Sequence, residues 1–270
     1  MLPTFHIARS LVSVLAVALG YALIVNFLVA YLSFPKWSAG NEVTTVLSVS
    51  LGVLVVFRNN TAHDRWWEAR KVWGQLINDI RNLALKAKTY AAIDLTERRA
   101  FARLLSGFAH ALRLHLRGSH SIHAVPGFEN DDARIPRSPG HIAGLVFQSL
   151  NRWNRQDSLG GTIWLFDQHA RALMDASGAC ERIRNTPLAS SYRAMMRGVI
   201  GIYVLTAPWT LALEMGWWSV PVLMLGFSFL LGIELTAEAV EEPFGKDGDD
   251  LPLESYCQTI DTFVNAALLD

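Results

Sequence analysis

The chain has 270 residues, 51% of them apolar, and a positive mean hydropathy, which excludes a disordered or collagen-like chain. Basic and acidic residues number 24 each, so the net charge is zero and a general nucleic-acid binder, which needs a surplus of Lys and Arg, is disfavoured. Two cysteines, Cys180 and Cys257, give neither a disulfide framework nor a zinc-finger spacing and read as buried small side chains.

Charge is sorted along the chain. Ser10 to Pro35, Val43 to Phe57, Gly198 to Leu213 and Met215 to Ile233 contain no charged residue. The first and last of these can cross a hydrocarbon layer of about 30 Å as helices rising 1.5 Å per residue. The middle two are shorter, but the four fall into two pairs with short connections, which reads as two membrane hairpins at 1–57 and 198–233. The first apolar run is too long for a cleavable signal peptide.

All but Arg9, Lys36 and Lys246 of the 24 basic residues lie between Arg58 and Arg197. Basic residues are retained on the cytoplasmic side, so residues 58–197 are expected to form a cytoplasmic body and both termini to face in. Lys36 falls in the first outer connection, about Ser33 to Glu42; the second is Glu214 to Gly216. From Glu234 onward ten carboxylates face the single Lys246, and this acidic tail, 234–270, is expected to pack across the basic body.

Between the hairpins the pattern is helical. From Ala62 to about Ala92 the positions Trp66, Trp73, Leu76, Ile77, Ile80, Leu83 and Leu85 recur near the helical period as one buried stripe. Asp94 with Glu97 is a capping box opening a helix to about Arg117, and Gly118 to Pro136 is loop-like. Ser138 and Pro139 open a third helix, Gly160 and Gly161 interrupt it, and a fourth runs to Thr186, where Pro187 stops it. No strand alternation appears, so the fold class is all-α.

The second span carries Thr44, Thr45, Ser48 and Ser50 and suits a protein-buried or water-lining place better than lipid. On it Val49, Val53 and Phe57 share one face. By spacing alone this stripe packs against a neighbouring helix.

The run Phe57-Arg58-Asn59-Asn60-Thr61-Ala62-His63-Asp64-Arg65-Trp66-Trp67-Glu68-Ala69-Arg70-Lys71-Val72-Trp73-Gly74 resembles the bestrophin signature in its bacterial form. Glu241-Glu242-Pro243-Phe244-Gly245 followed by Asp250-Leu251-Pro252-Leu253 resembles the segment after the last bestrophin span. The resemblance covers nearly the whole chain. It implies a multi-pass homopentameric ion channel in the inner membrane of a bacterium, with a hydrophobic neck formed by three apolar side chains one turn apart, here Val49, Val53 and Phe57. It also implies a lower aperture in the body, for which Leu159 or Ile163 is the candidate. Small monovalent ions are the implied cargo, chloride and other anions by family default, with monovalent cations as the alternative.

The signature residues Arg58, Asn59, Asp64, Arg65, Trp66 and Glu68 read as structural, the charges being satisfied by i to i+4 pairing and lipid headgroups. Trp66, Trp67, Trp73, Trp217 and Trp218 read as an aromatic belt or helix packing. In animal members the acidic block binds calcium; Asp247 and Asp250 match two of its carboxylates and Glu242 stands where an amide is usual, while Ala239, Lys246 and Gly248 depart from the pattern. A calcium site at Glu242, Asp247 and Asp250 competes with a turn whose carboxylates bond backbone amides. His110, His115, His120 and His123 lie on different faces and read as surface residues rather than a metal centre. With no phosphate-cradling Gly loop, HExxH or nucleophile elbow, the chain is not expected to be an enzyme. A membrane scaffold whose apolar stripe is only an interface, or a metal-binding protein, is the competing class.

Overall fold

The computed structural model describes residues 4–32, 40–119, 125, 128 and 138–270. Residues 33–39 of the expected first outer connection, with Lys36, and most of the 118–136 loop, including His120 and His123, lie outside the described residues, while 40–42 already belong to the helix that follows. Among those described, all regular structure is helical: α1 (Thr4–Leu32), α2 (Gly40–Tyr90), α3 (Leu95–Leu116), α4 (Pro139–Arg155), α5 (Trp164–Asn185), α6 (Ser190–Met215), α7 (Ser219–Glu241) and α8 (Leu253–Leu269), with a 3-10 turn at Gly216–Trp218. Three stretches, Leu11–Leu32, Glu42–Tyr90 and Ser190–Glu241, are long and apolar enough to cross a membrane.

The apolar stretch ending at Phe57 and the body helix beginning near Ala62 are one helix. Arg58-Asn59-Asn60-Thr61 contains neither Gly nor Pro, so nothing interrupts the hydrogen-bond ladder of α2 over its 51 residues. The chain divides into two compact units, and α2 passes from the first into the second at Arg65 and Trp66.

The first unit comprises residues to Arg65 together with 187–242 and 246–250. Here α1 packs on α6 and α7, which also pack on each other. Small residues, Ala18, Ala22 and Ala207, let these helices approach closely around Leu223 and Phe227. Leu51 and Val55 of α2 meet Met196 and Ile200 of α6 in a second apolar cluster. Polar pairs cross between helices: Asn26 Nδ2 donates to Ser219 Oγ at 2.9 Å, Thr44 and Thr210 hydroxyls meet at 3.2 Å, and Trp209 Nε1 donates to the Tyr21 hydroxyl at 2.8 Å. Each removes polar groups from an apolar setting where an unmatched donor is costly.

The second unit comprises 66–186, 243–245 and 251–270. The caps legible in the sequence are present: Asp94 Oδ1 accepts from Glu97 N at 2.7 Å at the start of α3, and Ser138 Oγ accepts from His141 N at 3.2 Å at the start of α4, with Pro139 in its first turn. Gly160 and Gly161 both hold positive φ, +50° and +76°, which lets the chain reverse between α4 and α5. Helices α3, α4, α5, α8 and the second part of α2 enclose one core in which Trp73, Leu76, Ile80, Leu83, Phe108 and Phe166 are fully buried. Leu85, expected in that stripe, is 48% exposed; it lies two residues past Leu83, about 200° around the helix, and Ala84 and Ala87 take the buried positions. Both cysteine side chains are buried in the same core.

Within the acidic tail Leu253, Cys257, Ile260, Val264 and Leu268 recur at helical spacing along α8, and all are fully buried. It packs on α3, where Arg117 pairs with both carboxylate oxygens of Glu254 (Nη2 to Oε2 2.9 Å) and His110 Nε2 lies 2.8 Å from Asp261 Oδ2.

Candidate pore helix and its anchoring charges

Within the first unit α2 has two unlike faces. Leu51, Val55, Arg58 and Ala62 point into the unit, at 3%, 9%, 1% and 1% exposure. Val49, Val53 and Phe57 point out, at 64%, 52% and 61%. Four residues turn a helix by about 400°, so the three outer side chains form a slowly drifting line, and Arg58, one residue beyond Phe57, is carried about 100° away into the interior. An apolar side chain and a buried guanidinium at adjacent positions are therefore assigned to opposite tasks by helical geometry alone.

Arg58 is held by α7. Its Nη2 lies 2.7 Å from Glu241 Oε2, and its Nε 3.7 Å from Glu234 Oε1. Glu241 is itself 3% exposed; its other carboxylate oxygen accepts from Leu188 N at 3.0 Å, and its backbone carbonyl accepts from Arg65 Nε at 3.2 Å. One acidic residue thus gathers the start of α6, the end of α7 and two arginines of α2. The expectation of i to i+4 pairing and headgroup contact is corrected: Arg58 is sealed from solvent and its partners are more than 170 residues away in sequence. Glu68 likewise pairs out of its own helix, with Arg182 Nη2 at 2.5 Å. Asn59 and Asp64 are exposed, and Trp66 is half-buried against the second unit's core. Trp73 is fully buried there, a packing residue, whereas Trp217 and Trp218 are 54% and 76% exposed.

The two aperture candidates differ in burial. Leu159 is 1% exposed and belongs to the core of its own unit. Ile163 is only partly buried, immediately before α5, and Trp164 beside it is 71% exposed. Lys86 Nζ of α2 donates to Leu165 O at 2.8 Å, and Ala92 N, in the link after α2, donates to Ser158 O at 2.8 Å.

The model of the family described as bacterial and fungal bestrophin proteins matches residues 4–266. The chain belongs to the bestrophin family. Among proteins similar to this bestrophin is a voltage-dependent anion channel-forming protein of Nostoc sp., 33% identical over 229 residues, covering 80% of this chain and 74% of that protein. Another of the same description, from Mesorhizobium japonicum, is 33% identical over 236 residues, covering 83% and 74%. A crystal structure of a bacterial bestrophin homologue from Klebsiella pneumoniae superposes with a TM-score of 0.85 at 20% identity, covering 95% of this chain and 97% of that one. That match establishes the fold.

In this bestrophin the acidic block after α7 does not fit a calcium ion. Glu242 and Asp247 are exposed, the Asp250 carboxylate accepts the backbone N–H of Asp247, and no group of three or more His, Cys, Asp or Glu able to hold a metal occurs among the described residues. Calcium needs six to eight oxygens, and the turn spends one of its carboxylates on its own backbone. The segment is fixed by other means: Leu251 N donates to Pro243 O at 3.0 Å, Phe244 is buried, and Arg117 Nε donates to Phe244 O at 3.3 Å. The described histidines do not converge either; His110 faces Asp261, while His115 Nε2 lies 3.0 Å from Glu181.

Proposed function

We propose that this bestrophin is an ion channel in which five copies assemble around an axis lined by the first half of α2. Val49, Val53 and Phe57 from each copy would then stack as three apolar rings, a neck that excludes water when narrow and rewets on slight widening, so that it gates without carrying charge. The observation that carries this reading is the outward line of these three side chains on a helix whose opposite face is fully engaged by its own subunit. An apolar line left over after a helix has satisfied its packing needs a second surface, and a five-fold axis supplies one. Ile163, placed immediately before α5, is the proposed lower narrowing.

Four apolar segments, from α1, α2, α6 and α7, are proposed to span the inner membrane of a bacterium. The concentration of basic residues between Arg58 and Arg197 supports termini on the cytoplasmic side. Anions are the proposed cargo, supported by what the relatives from Nostoc and Mesorhizobium are named for. The neck rings bear no charge, so selection falls to the mouths of the pore. The experiment is a reversal potential across a potassium chloride gradient with purified protein in a planar bilayer. A potential near the chloride equilibrium value supports anion conduction, a value near that of potassium replaces it with the cation reading, and no current at all refutes the channel.

A further inference from the structure

Beyond Phe57 the outward face of α2 stops being apolar. At about 100° per residue, Asn60 and Asp64 fall within the arc swept by Val49, Val53 and Phe57, about 4.5 and 10.5 Å further along the axis. Both are exposed. Arg58 points the opposite way, into its own unit. Asp64 is therefore the first charged side chain on this face after the apolar line ends.

Its carboxylate is left uncompensated by its own helix. A helix neutralises a surface charge with an opposite one three or four residues away, and the residues at those distances from Asp64 are Asn60, Thr61, Trp67 and Glu68, none of them a cation. The adjoining Arg65 is turned to the Glu241 carbonyl. Further along α2, Glu68 is taken up by Arg182 and Asp79 by His169, whereas Asp64 makes no ion pair among the described residues. The next basic residue on the same face, Lys71, stands seven residues on, about 10.5 Å, which exceeds the screening length of about 8 Å at physiological ionic strength. One exposed carboxylate matters little to a single chain. Brought round an axis by five copies it becomes a ring of five like charges, and mobile cations supply the neutralisation that the protein does not.

We infer that Asp64 is a specificity-determining residue of the pore: its ring at the Phe57 end of the neck concentrates cations and depletes anions, and so holds down the chloride share of the current. The inference rests on the five-fold reading of α2. The rings of Val49, Val53 and Phe57 bear no charge and pass either sign, so discrimination falls to the first charge met outside them. That charge acts on the anion-to-cation ratio whichever ion the wild type prefers.

The experiment measures reversal potentials across a potassium chloride gradient for the full-length protein in planar bilayers. Asp64→Asn is expected to raise the chloride-to-potassium permeability ratio by about threefold or more, and Asp64→Glu, which keeps the charge, to shift it much less. In the wild type the ratio is expected to rise towards that of Asp64→Asn as the mean salt is raised from about 0.1 to 1 M at a fixed gradient, because the screening length falls from about 10 to 3 Å. That series needs no variant to fold. In Asp64→Cys, a methanethiosulfonate reagent carrying a sulfonate is expected to lower the ratio and one carrying a trimethylammonium group to raise it. The wild type is expected to ignore both reagents, since Cys180 and Cys257 are buried. A conducting wild type whose ratio is unchanged by Asp64→Asn, or shifted as far by Asp64→Glu, overturns the inference and leaves the channel reading standing. A ratio indifferent to salt, or to the charge attached at position 64, does the same. Absence of any wild-type current removes the channel reading, and the inference with it.

Discussion

Arg58 and Glu241 stand 183 residues apart in sequence and 2.7 Å apart in space, both nearly sealed from solvent. The pair joins α2, which carries the outward Val53 and Phe57, to the end of α7. Separating two buried charges from water is costly, and removing one partner strands the other. Glu241→Leu or Arg58→Met alone is therefore expected to destabilise the protein by about 3 kcal/mol or more, whereas the double replacement Arg58→Met with Glu241→Leu is expected to recover much of the loss. Thermal unfolding in detergent, read as a double-mutant cycle, measures the coupling. Independent, additive losses would show that the pair does not hold these helices together.

The tail helix should loosen in acid. The hydrogen bond from Arg117 holds the Glu254 carboxyl below its ordinary value, against partial desolvation that pushes it up. A depressed carboxylate contributes stability that is present above its unfolded value, near 4.5, and is lost as pH falls through the folded one. Protection of the α8 amides from hydrogen exchange, taken relative to the intrinsic rate at each pH, is expected to fall below about pH 4.5 in the wild type, and to be lower already at pH 7 and less pH-dependent in Arg117→Gln. The same acid response in both proteins would exclude this pair as its source.

Both thiols should be inert. Burial pushes the Cys180 and Cys257 thiols up to about 12, and a thiol reacts as its thiolate. Neither is expected to take up maleimide at pH 7.5 in the folded protein, and both should label on unfolding. Rapid labelling of Cys257 in the native protein would mean that α8 leaves the body readily.

What the sequence disclosed follows from the range of the interactions involved. Helix starts at Asp94 and Ser138, and the end before Pro187, are set by residues within one turn, so they were readable from the chain alone. That Val49, Val53 and Phe57 share one face followed from period, whereas by spacing alone that face packs against a neighbouring helix; the neck role came only from the resemblance and remains a proposal. The partner of Arg58 was not readable, because a carboxylate 183 positions away is indistinguishable from any other until the helices pack; the local assumption of i to i+4 pairing failed for that reason.

Leu159 and α8 illustrate two different reasons why a position is hard to place from the chain alone. A leucine beside a glycine pair has no period to indicate its direction, and this one lies in the core of its own unit. In α8 the spacing of Leu253, Cys257, Ile260, Val264 and Leu268 carries the helical signal, inside a segment whose charge is its more obvious feature. The acidic turn shows the converse: Glu242, Asp247 and Asp250 look like ligands in a row, yet the backbone of the turn takes up one of their carboxylates first.

The channel account rests on Val53 closing an apolar throat, and the most direct measurement is salt efflux from sealed liposomes containing either wild-type protein or Val53→Ala at equal density. Removing two methyl groups from each copy widens the ring and favours its wetting, so efflux is expected to rise several-fold while the protein's assembly and thermal stability change little. Efflux unchanged from the wild type would contradict the account, leaving Val53 as part of a packing surface.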